Sequence, residues 1–500
     1  MSNYSWMRGR GAGVLLHISS LPSAQGIGSF GGGADLFLKF LSKSGMTYWQ
    51  ICPMQPTGFG DSPYQCFSAF AGNPYFIDCF ELVKAKLLDD GDAAKLLALP
   101  SNKCDFGAIY NTIPALLKKA AQNPNVEKLN FEKSFKAFCD ENAKWLDDYA
   151  NFTALKEKFG GKIWSEWPDE FKFRKFKSLD AETATNARAV KLIQWIFFGQ
   201  YTRLKTKAAE LGIEIIGDMP IFVSYDSADV WANPALFDLD ENLAPNHVAG
   251  VGPDYFSPKG QLWGNPLYAW EKSKKLCYNF WEERLAQAFK MFDVLRLDHF
   301  RGFADFWEIP ANAKDACSGE WKPGPGLDFF NHMRKIFPTQ KFIAEDLGIL
   351  SETSVALRDA LNIPSMSVLQ FAFGGDASNG YLPHNMHSNL VCYTGTHDND
   401  TSVSWYNSAD EKTKDQFRKY FSTPADAPNW DMIHAALISV AKIAVIPMQD
   451  VLGLGDDARM NTPGEPAGNW QWRISESALK LAMSNQASFV RSLCEVSGRI

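Results

Sequence analysis

The sequence has little from which to build a disulfide framework or a zinc site. Its nine cysteines fall singly along 500 residues and form no Cys-x-x-Cys pair. A scattered, odd set of cysteines in a long chain is typical of reduced thiols packed in a core. The N-terminal stretch MSNYSWMRGRGAG lacks the apolar run of a secretory signal. We therefore expect a cytoplasmic protein.

Long apolar runs and blocks of positive charge are also missing. No uninterrupted apolar stretch approaches the roughly 18 to 20 residues that a membrane-spanning helix requires. The net charge of −7 is modest and spread along the chain, without a basic block suited to a nucleic-acid backbone or an anionic membrane. These absences argue against both nucleic acid and membrane as partners.

What the sequence does contain is a series of short apolar runs that end in polar residues. Helix-like segments separate most of them, and this rhythm indicates a parallel sheet. Eight strand-then-helix units are the number that closes a (β/α)₈ TIM barrel, the fold class that we predict. The eight runs lie at 13–20, 46–54, 213–223, 292–300, 341–348, 365–373, 390–398 and 443–453.

Two gaps between these strands are too long for plain connections. Residues about 62–190 place Phe131, Phe135, Phe138, Trp145 and Tyr149 on one face of an amphipathic helix, which predicts a mostly helical insertion. Residues about 224–290 include glycine-, proline- and aromatic-rich text with little periodicity. We expect a loop-rich subdomain there, lying over the active-site cleft. The whole chain, 1–500, is then a single catalytic barrel with two insertions.

Four of the predicted strands end in carboxylates, namely Asp218, Asp298, Glu345 and Asp398. In a barrel of this kind the reactive face lies at the C-terminal ends of the strands. A buried, unpaired carboxylate costs several kcal/mol or stays protonated, so this recurrence is not expected by chance. The pattern favours a site built from acids.

The surroundings of two of these acids suggest different roles. Arg296 and Asp298 are two apart on a strand and project to the same side, so the guanidinium should keep the pKa of Asp298 low. Glu345 follows an apolar strand, where desolvation and neighbouring negative charge should raise its pKa. A low-pKa aspartate and a raised-pKa glutamate on neighbouring strands form the pair used in retaining glycoside chemistry.

Each of these residues alone has a plainer interpretation. An Arg-x-Asp pair on a strand is usually a structural ion pair, and His397 with Asp398 often belongs to an ordinary turn. Strand-end carboxylates also hold divalent metals in some barrels. Against a metal, Arg296 would lie close to the ion, and no lysine base lies near these strand ends.

Three of the acids lie in the segments "RLDHFRGF" at 296–303, "AEDLG" at 344–348 and "YTGTHDND" at 393–400. These three segments resemble the catalytic segments of the amylomaltases, bacterial 4-α-glucanotransferases of the α-amylase superfamily. The resemblance runs nearly end to end, through "LLHISSLPS", "SPYQCFSAFAGNP", "GDMPIFVSYDSADVW", "PDYFSPKGQLWGNPLY" and "MQDVLGLGDDARMNTPGEPAGNWQWR". These segments are long and distinctive, so they identify the family more strongly than the strand count does.

The resemblance implies a role for each catalytic position. Asp298 would be the nucleophile that forms a covalent glucosyl-enzyme, and Glu345 would be the acid and then the base. Asp398 would hold hydroxyls of the reacting ring and favour its distortion. Arg296 would orient Asp298, and His397 would bind a sugar hydroxyl.

The resemblance also implies residues that bind substrate. Asp218 matches a further carboxylate near the scissile sugar, Tyr64 an aromatic that stacks on the reacting glucose, and Trp263 an aromatic of the acceptor-side loop. Flat aromatic rings bury the apolar faces of pyranoses, which makes stacking physically reasonable. The expected substrates are malto-oligosaccharides and α-1,4-glucans derived from starch or glycogen, with glucose as an acceptor. Neither a metal nor a cofactor is needed.

The acids define glycosyl chemistry but leave the acceptor open. A retaining α-glucan hydrolase would use the same residues with water as the acceptor. Transfer prevails when loops exclude water and bind an acceptor glucan well, and the loops at 250–268 and 456–470 are candidates for this task. A catalytically dead glucan-binding protein would have lost at least one of the three acids, and all three are present.

Overall fold

The computed structural model of the chain describes residues 6–7, 9–253, 257–348 and 350–500. Three residues of the predicted cleft-covering loop, 254–256, lie outside these ranges. The strands are β1 (Gly11–Leu15), β2 (Tyr48–Gln50), β3 (Glu214–Pro220), β4 (His247–Val251), β5 (Gln261–Pro266), β6 (Val294–Asp298), β7 (Asp305–Pro310), β8 (Glu320–Pro323), β9 (Lys341–Ala344), β10 (Ser365–Val368), β11 (Leu390–Tyr393) and β12 (Ile443–Pro447).

Eight of these strands form one parallel sheet in the order β10-β11-β12-β1-β2-β3-β6-β9. The two end strands approach each other, because Ala344 N donates to Pro364 O at 2.9 Å and Met366 N donates to the Asp346 carboxylate at 2.8 Å. These contacts close the sheet into a ring. The predicted (β/α)₈ barrel is confirmed. Seven of its strands fall within the predicted apolar runs, and β1 begins two residues before the run at 13–20.

Helices surround the barrel. They are α1 (Gly32–Ser44), α2 (Cys79–Lys84), α3 (Asp90–Leu97), α4 (Phe106–Gln122), α5 (Phe135–Lys158), α6 (Asp169–Lys172), α7 (Ala181–Glu210), α8 (Ala228–Ala232), α9 (Lys274–Met291), α10 (Gly326–Ile336), α11 (Glu352–Leu361), α12 (Ser402–Ser408), α13 (Glu411–Phe421), α14 (Pro428–Ile438), α15 (Met448–Leu452), α16 (Glu476–Asn485) and α17 (Ala487–Val496). Within the described ranges, no helix has the length and apolarity needed to cross a bilayer.

The barrel interior is filled by apolar side chains from the alternate positions of its strands. Strand side chains alternate between the two faces of a sheet, so one set points inward and the other packs under the helices. The inward set is almost completely buried and forms its own cluster: Leu15, Ile216, Val294, Ile343, Met366, Val368, Val391, Tyr393, Ile443 and Val445. This packed interior makes the strand ends a rigid base for a site.

Residues 62–190 contain α2 to α6 and the start of α7. The long helices α5 and α7 pack side by side, and aromatic rings fill their contact. The predicted helix face was wrong at its start, because Ser134 caps α5 by accepting from Ala137 N and Phe131 precedes the helix. Phe131 instead packs edge-on against Trp195 of α7, with ring centroids 5.1 Å apart.

The region predicted to be loop-rich contains two strands that sequence patterning missed. β4 pairs with β5 on one side and with β7 on the other, and β7 pairs with β8, which gives a four-stranded antiparallel sheet of order β5-β4-β7-β8. Their text, HVAGV and QLWGNP, is short and rich in glycine, so local propensity is weak. Long-range pairing stabilises them, and β5 carries Trp263 on this sheet.

Candidate active site

Three acids lie on neighbouring barrel strands, at the same end. Asp218 on β3 is in register with Arg296 on β6, and Asp298 is the last residue of β6. Leu297 is in register with Ala344, so Glu345 follows β9 beside Asp298. The closed order β3-β6-β9 thus gathers the three carboxylates around one guanidinium.

That guanidinium joins two of the acids. Arg296 Nη1 lies 2.7 Å from both carboxylate oxygens of Asp218 and 2.8 Å from Asp298 Oδ1. Arg296 is 4% exposed and Asp218 is 2% exposed, so this pairing is screened little by water. Asp298 is more open, with a side chain that is 26% exposed. Asp298, the nucleophile predicted from sequence, is therefore bound by Arg296 on its buried side and accessible on its cleft side.

The low pKa predicted for Asp298 is wrong. Burial raises the pKa of Asp298 to about 6, although Arg296 opposes the shift. Burial also raises the pKa of Glu345 to about 7, Arg296 opposes this too, and the charge of Asp298 adds to the rise. The direction predicted for Glu345 is confirmed.

Glu345 is oriented by backbone donors. Its Oε2 accepts from His299 N at 2.8 Å, and its Oε1 accepts from Leu347 N at 3.1 Å. His299 adopts the left-handed conformation with φ of 50°, which is unusual for a residue other than glycine. This turn directly follows Asp298 and directs the His299 N–H toward Glu345. The conformation of His299 therefore affects the positions of both carboxylates.

A fourth acid enters from the far side of the barrel, on the loop after β11. Asp398 Oδ2 lies 3.3 Å from His397 Nε2, and Asp398 Oδ1 accepts from Asn461 Nδ2 at 2.6 Å. Burial opposes ionisation of Asp398, but these two partners lower its pKa to about 2. Burial likewise opposes the charge on His397, yet Asp398 raises its pKa above the ordinary value. Asp398 is thus a fixed negative charge.

Aromatic rings connect the two sides of the barrel mouth. Tyr64 donates from its hydroxyl to Asp218 Oδ2 at 2.7 Å, and its ring stacks on His397 with centroids 5.2 Å apart. Trp470 packs against both rings, at 5.9 Å from Tyr64 and 5.7 Å from His397. Tyr64 therefore reaches across the cleft between β3 and the loop after β11.

Trp263 lies near the acid pair rather than in a distant loop. Its ring meets His299 edge-on, with centroids 4.9 Å apart, and its Nε1 donates to Gln261 at 3.0 Å. His299 N also donates to Glu345 Oε2, so Trp263 contacts the residue that is hydrogen-bonded to the acid. All eight residues predicted for the site thus belong to one connected group.

Comparison with known proteins identifies the chain's family. The family profile described as 4-alpha-glucanotransferase matches residues 16–479. The chain belongs to the 4-alpha-glucanotransferase family. It is accordingly an enzyme of the hexosyltransferase type.

Relatives of this glucanotransferase align over its whole length. A 4-alpha-glucanotransferase of Thermus thermophilus is 44% identical and covers 98% of this chain and 99% of its own. Another, of Clostridium butyricum, is 42% identical over 94% of this chain and 98% of its own. The structure titled amylomaltase from Streptococcus agalactiae in complex with acarbose matches with a TM-score of 0.90 at 34% identity, covering 98% and 99% of the two chains.

Sequence reasoning missed several residues that the glucanotransferase fold brings to the site. Arg459 and Asn461 donate hydrogen bonds to Asp398 on the loop after β11, and the buried Trp470, whose φ is 65°, packs against Tyr64 and His397. All three lie in the segment "MQDVLGLGDDARMNTPGEPAGNWQWR", which follows the last strand. The sequence shows them only as an arginine, an asparagine and an aromatic residue after the end of a strand, and such residues are common in ordinary loops.

Two clusters of side chains contain the residue types that bind metal ions. Among the strand-end acids, the cation between Asp218 and Asp298 is the Arg296 guanidinium itself. In the second sheet, Asp238 and Glu308 face opposite ring nitrogens of His247, at 2.8 and 4.0 Å. One ligand atom from each of these three residues lies within 4.8 Å of the other two, so the spacing would allow three ligands to one ion, while the His247–Asp238 hydrogen bond forms without any ion.

Proposed function

We propose that this glucanotransferase moves α-1,4-glucan segments from a donor malto-oligosaccharide to the 4-hydroxyl of a glucan or glucose. The single observation that carries the proposal is the placing of Asp298 and Glu345 on neighbouring strand ends, with Arg296 against the first and backbone donors against the second. Neighbouring acids in different surroundings, one against a guanidinium and the other against backbone N–H groups, support nucleophile and acid–base roles.

The first displacement forms the covalent intermediate. A carboxylate oxygen of Asp298 attacks C1 of the donor glucose while the bond from C1 to the glucosidic oxygen breaks. Glu345 transfers its proton to that oxygen, so the leaving chain departs as a neutral alcohol. The products of this step are a β-glucosyl ester on Asp298 and an ionised Glu345.

The second displacement restores the enzyme. Glu345 takes the proton from the 4-hydroxyl of an incoming sugar, and that oxygen attacks C1 of the ester. The ester bond breaks, Asp298 is released as a carboxylate, and an α-linkage is formed again. Two inversions at C1 give net retention.

The remaining residues support the positive charge that develops on the reacting ring. Asp398 is held ionised by His397 and Asn461, which suits it to accept hydrogen bonds from ring hydroxyls and to stabilise the oxocarbenium-like transition state. Tyr64 offers a ring face for the same sugar. Arg296 keeps Asp298 oriented and limits its basicity.

The acceptor side is formed by the sheet that contains β5. Trp263 packs on His299 beside Glu345, which is where the acceptor hydroxyl must arrive. We propose that Trp263 stacks on the first acceptor sugar and that the 250–268 segment excludes water from the ester. Acceptor binding raises the effective concentration of the sugar hydroxyl above that of competing water.

The product pattern from maltotriose tests this proposal. Purified enzyme without added metal or cofactor should give glucose together with maltotetraose and longer chains, because every transfer lengthens one molecule. Glucose and maltose alone would indicate hydrolysis and would overturn the transfer proposal. The Asp298→Asn variant is the matched control and should leave maltotriose unchanged.

A further inference from the structure

The loop that carries His397 and Asp398 is anchored at both of its ends. Thr394 follows β11 directly, and Ser402 is the first residue of α12, so these two residues delimit the loop. Both are fully buried, with 0% of their surface exposed. Any group that fixes them also limits where Asp398 can lie.

A single carboxylate contacts both ends. Asp450 Oδ2 accepts from Thr394 Oγ1 at 2.5 Å and from Ser402 Oγ at 2.7 Å. Asp450 Oδ1 accepts from Ser402 N at 2.7 Å. Asp450 is 1% exposed and lies in α15, just after the last barrel strand. Hydrogen bonds to a buried carboxylate are short, strong and directional, so the three together define a narrow geometry.

The chain around Asp450 also holds the middle of the loop. Asn461 N donates to His397 O at 3.1 Å, and Arg459 Nη2 donates to Asp398 O at 2.8 Å. Gln449, next to Asp450, donates from Nε2 to Ala458 O at 3.2 Å and ties this stretch back to α15. The segment after β12 therefore contacts the loop after β11 at both of its ends and also at His397 and Asp398.

We propose that Asp450 is a positioning residue for Asp398. It acts by fixing Thr394 and Ser402, and through them the loop that presents Asp398 to the sugar ring. This inference rests on the proposed function, because it assigns Asp450 a part in the same displacement. Since Asp398 acts mainly in the transition state, loosening its loop lowers kcat more than it changes KM.

The first test is the Asp450→Asn variant, assayed for transfer on maltotriose. In this variant the amide oxygen can still accept from Ser402 N, but the amide nitrogen donates, so the hydroxyls of Thr394 and Ser402 must turn to accept from it. The charge-assisted hydrogen bonds are lost while the volume of the side chain is kept. The expected result is a fall in kcat of about 10²-fold, as a displacement of about 1 Å in a catalytic group produces.

The control is Asp92→Asn, because Asp92 is equally buried but lies on α3 and pairs with Lys95 and Lys119. It should lower stability and leave kcat unchanged.

A double-mutant cycle separates positioning from a general loss of structure. Asp450→Asn is compared in the wild type and in an Asp398→Asn background, using kcat and the Kd for acarbose measured by calorimetry. If Asp450 acts through Asp398, its effect disappears in the second background. An equal loss in both backgrounds overturns the inference.

Thr394→Val removes one donor to Asp450 with little change of shape. It should lower kcat in the same way by a smaller factor. It also provides the test if the Asp450→Asn variant does not fold.

The outcomes also separate this inference from the proposed function. A wild-type enzyme without transfer activity on maltotriose overturns the proposed function and this inference with it. An active wild type together with unimpaired Asp450→Asn and Thr394→Val variants overturns the inference alone.

Discussion

Arg296 donates from Nη1 to Asp298 Oδ1 at 2.8 Å, across two positions of one strand. The same atom contacts both oxygens of Asp218, so one buried cation balances two carboxylates. Removing one member of a buried pair leaves uncompensated charge, which costs far more than a surface pair is worth. The proposed nucleophile and the fold share this interaction.

The Arg296→Met variant is expected to lose both activity and stability. Its free energy of unfolding should fall by about 3–5 kcal/mol, because Asp218 remains buried and Asp298 partly buried without their partner. Urea titration measures this change. The control is Arg491→Met, whose ion pair with Glu495 is solvent-exposed and is worth about 0–1 kcal/mol. Equal losses in the two variants would contradict the shared-cation account.

The rate should depend on pH with two limbs. Asp298 must be ionised to attack, and its pKa is about 6, so kcat/KM falls as the pH drops through about 6. Glu345 must be protonated, and its pKa is about 7, so kcat/KM also falls as the pH rises through about 7. Because the two acids interact, the limbs belong to the pair. Initial rates on maltotriose from pH 4.5 to 9 would check this, and a rate still rising at pH 9 would refute it.

The same assignment predicts what happens when the acid is removed. With the Glu345→Gln variant, a donor whose leaving group needs no proton, such as α-maltosyl fluoride, should still form the glycosyl-enzyme. Its alkaline limb should vanish, since that limb reports the proton on Glu345. Persistence of the alkaline limb would mean that another group carries the proton.

Tyr64 has two separable functions, a hydroxyl on Asp218 and a ring on His397. The Tyr64→Phe variant keeps the ring and removes a hydrogen bond to a charged group, so kcat/KM should fall about 10-fold to 100-fold. Tyr64→Ala should add a rise in KM, because the stacking face is lost. Steady-state kinetics of both variants would distinguish the two effects, and equal KM values would argue against stacking.

Trp263 and Leu262 are neighbours on β5 with side chains on opposite faces of the sheet. Trp263→Ala should lower the ratio of transfer to hydrolysis about 10-fold, which corresponds to losing about 1.4 kcal/mol of acceptor binding. The exposed Leu262 gives the matched control, and Leu262→Ala should leave the ratio unchanged. Product analysis of maltotriose digests measures both, and a shared effect would place the cause in the strand rather than in the indole.

The barrel was predictable because its strands are buried on both faces and read as apolar runs. The gathering of the acids at one end of the barrel was predictable because four of the runs end in carboxylates, and parallel strand ends meet at the same end of a barrel. The strands β4 and β5 were not predictable from sequence. Their glycine-rich sequences have weak strand propensity, and β4 pairs with β7, which is distant in the chain. The pKa of Asp298 was misjudged because a neighbouring arginine is visible in the sequence, whereas the burial that outweighs it is not. Sharing of Arg296 with Asp218 likewise depends on the register of β3 and β6.

The most direct test of the central claim is to trap the glycosyl-enzyme and locate it. The Glu345→Gln variant, incubated with α-maltosyl fluoride and quenched in acid, is digested and analysed by mass spectrometry. The account predicts a maltosyl ester on the peptide that carries Asp298, and none when Asp298→Asn is added. An ester on another carboxylate, or turnover without any ester and with inversion at C1, would contradict it.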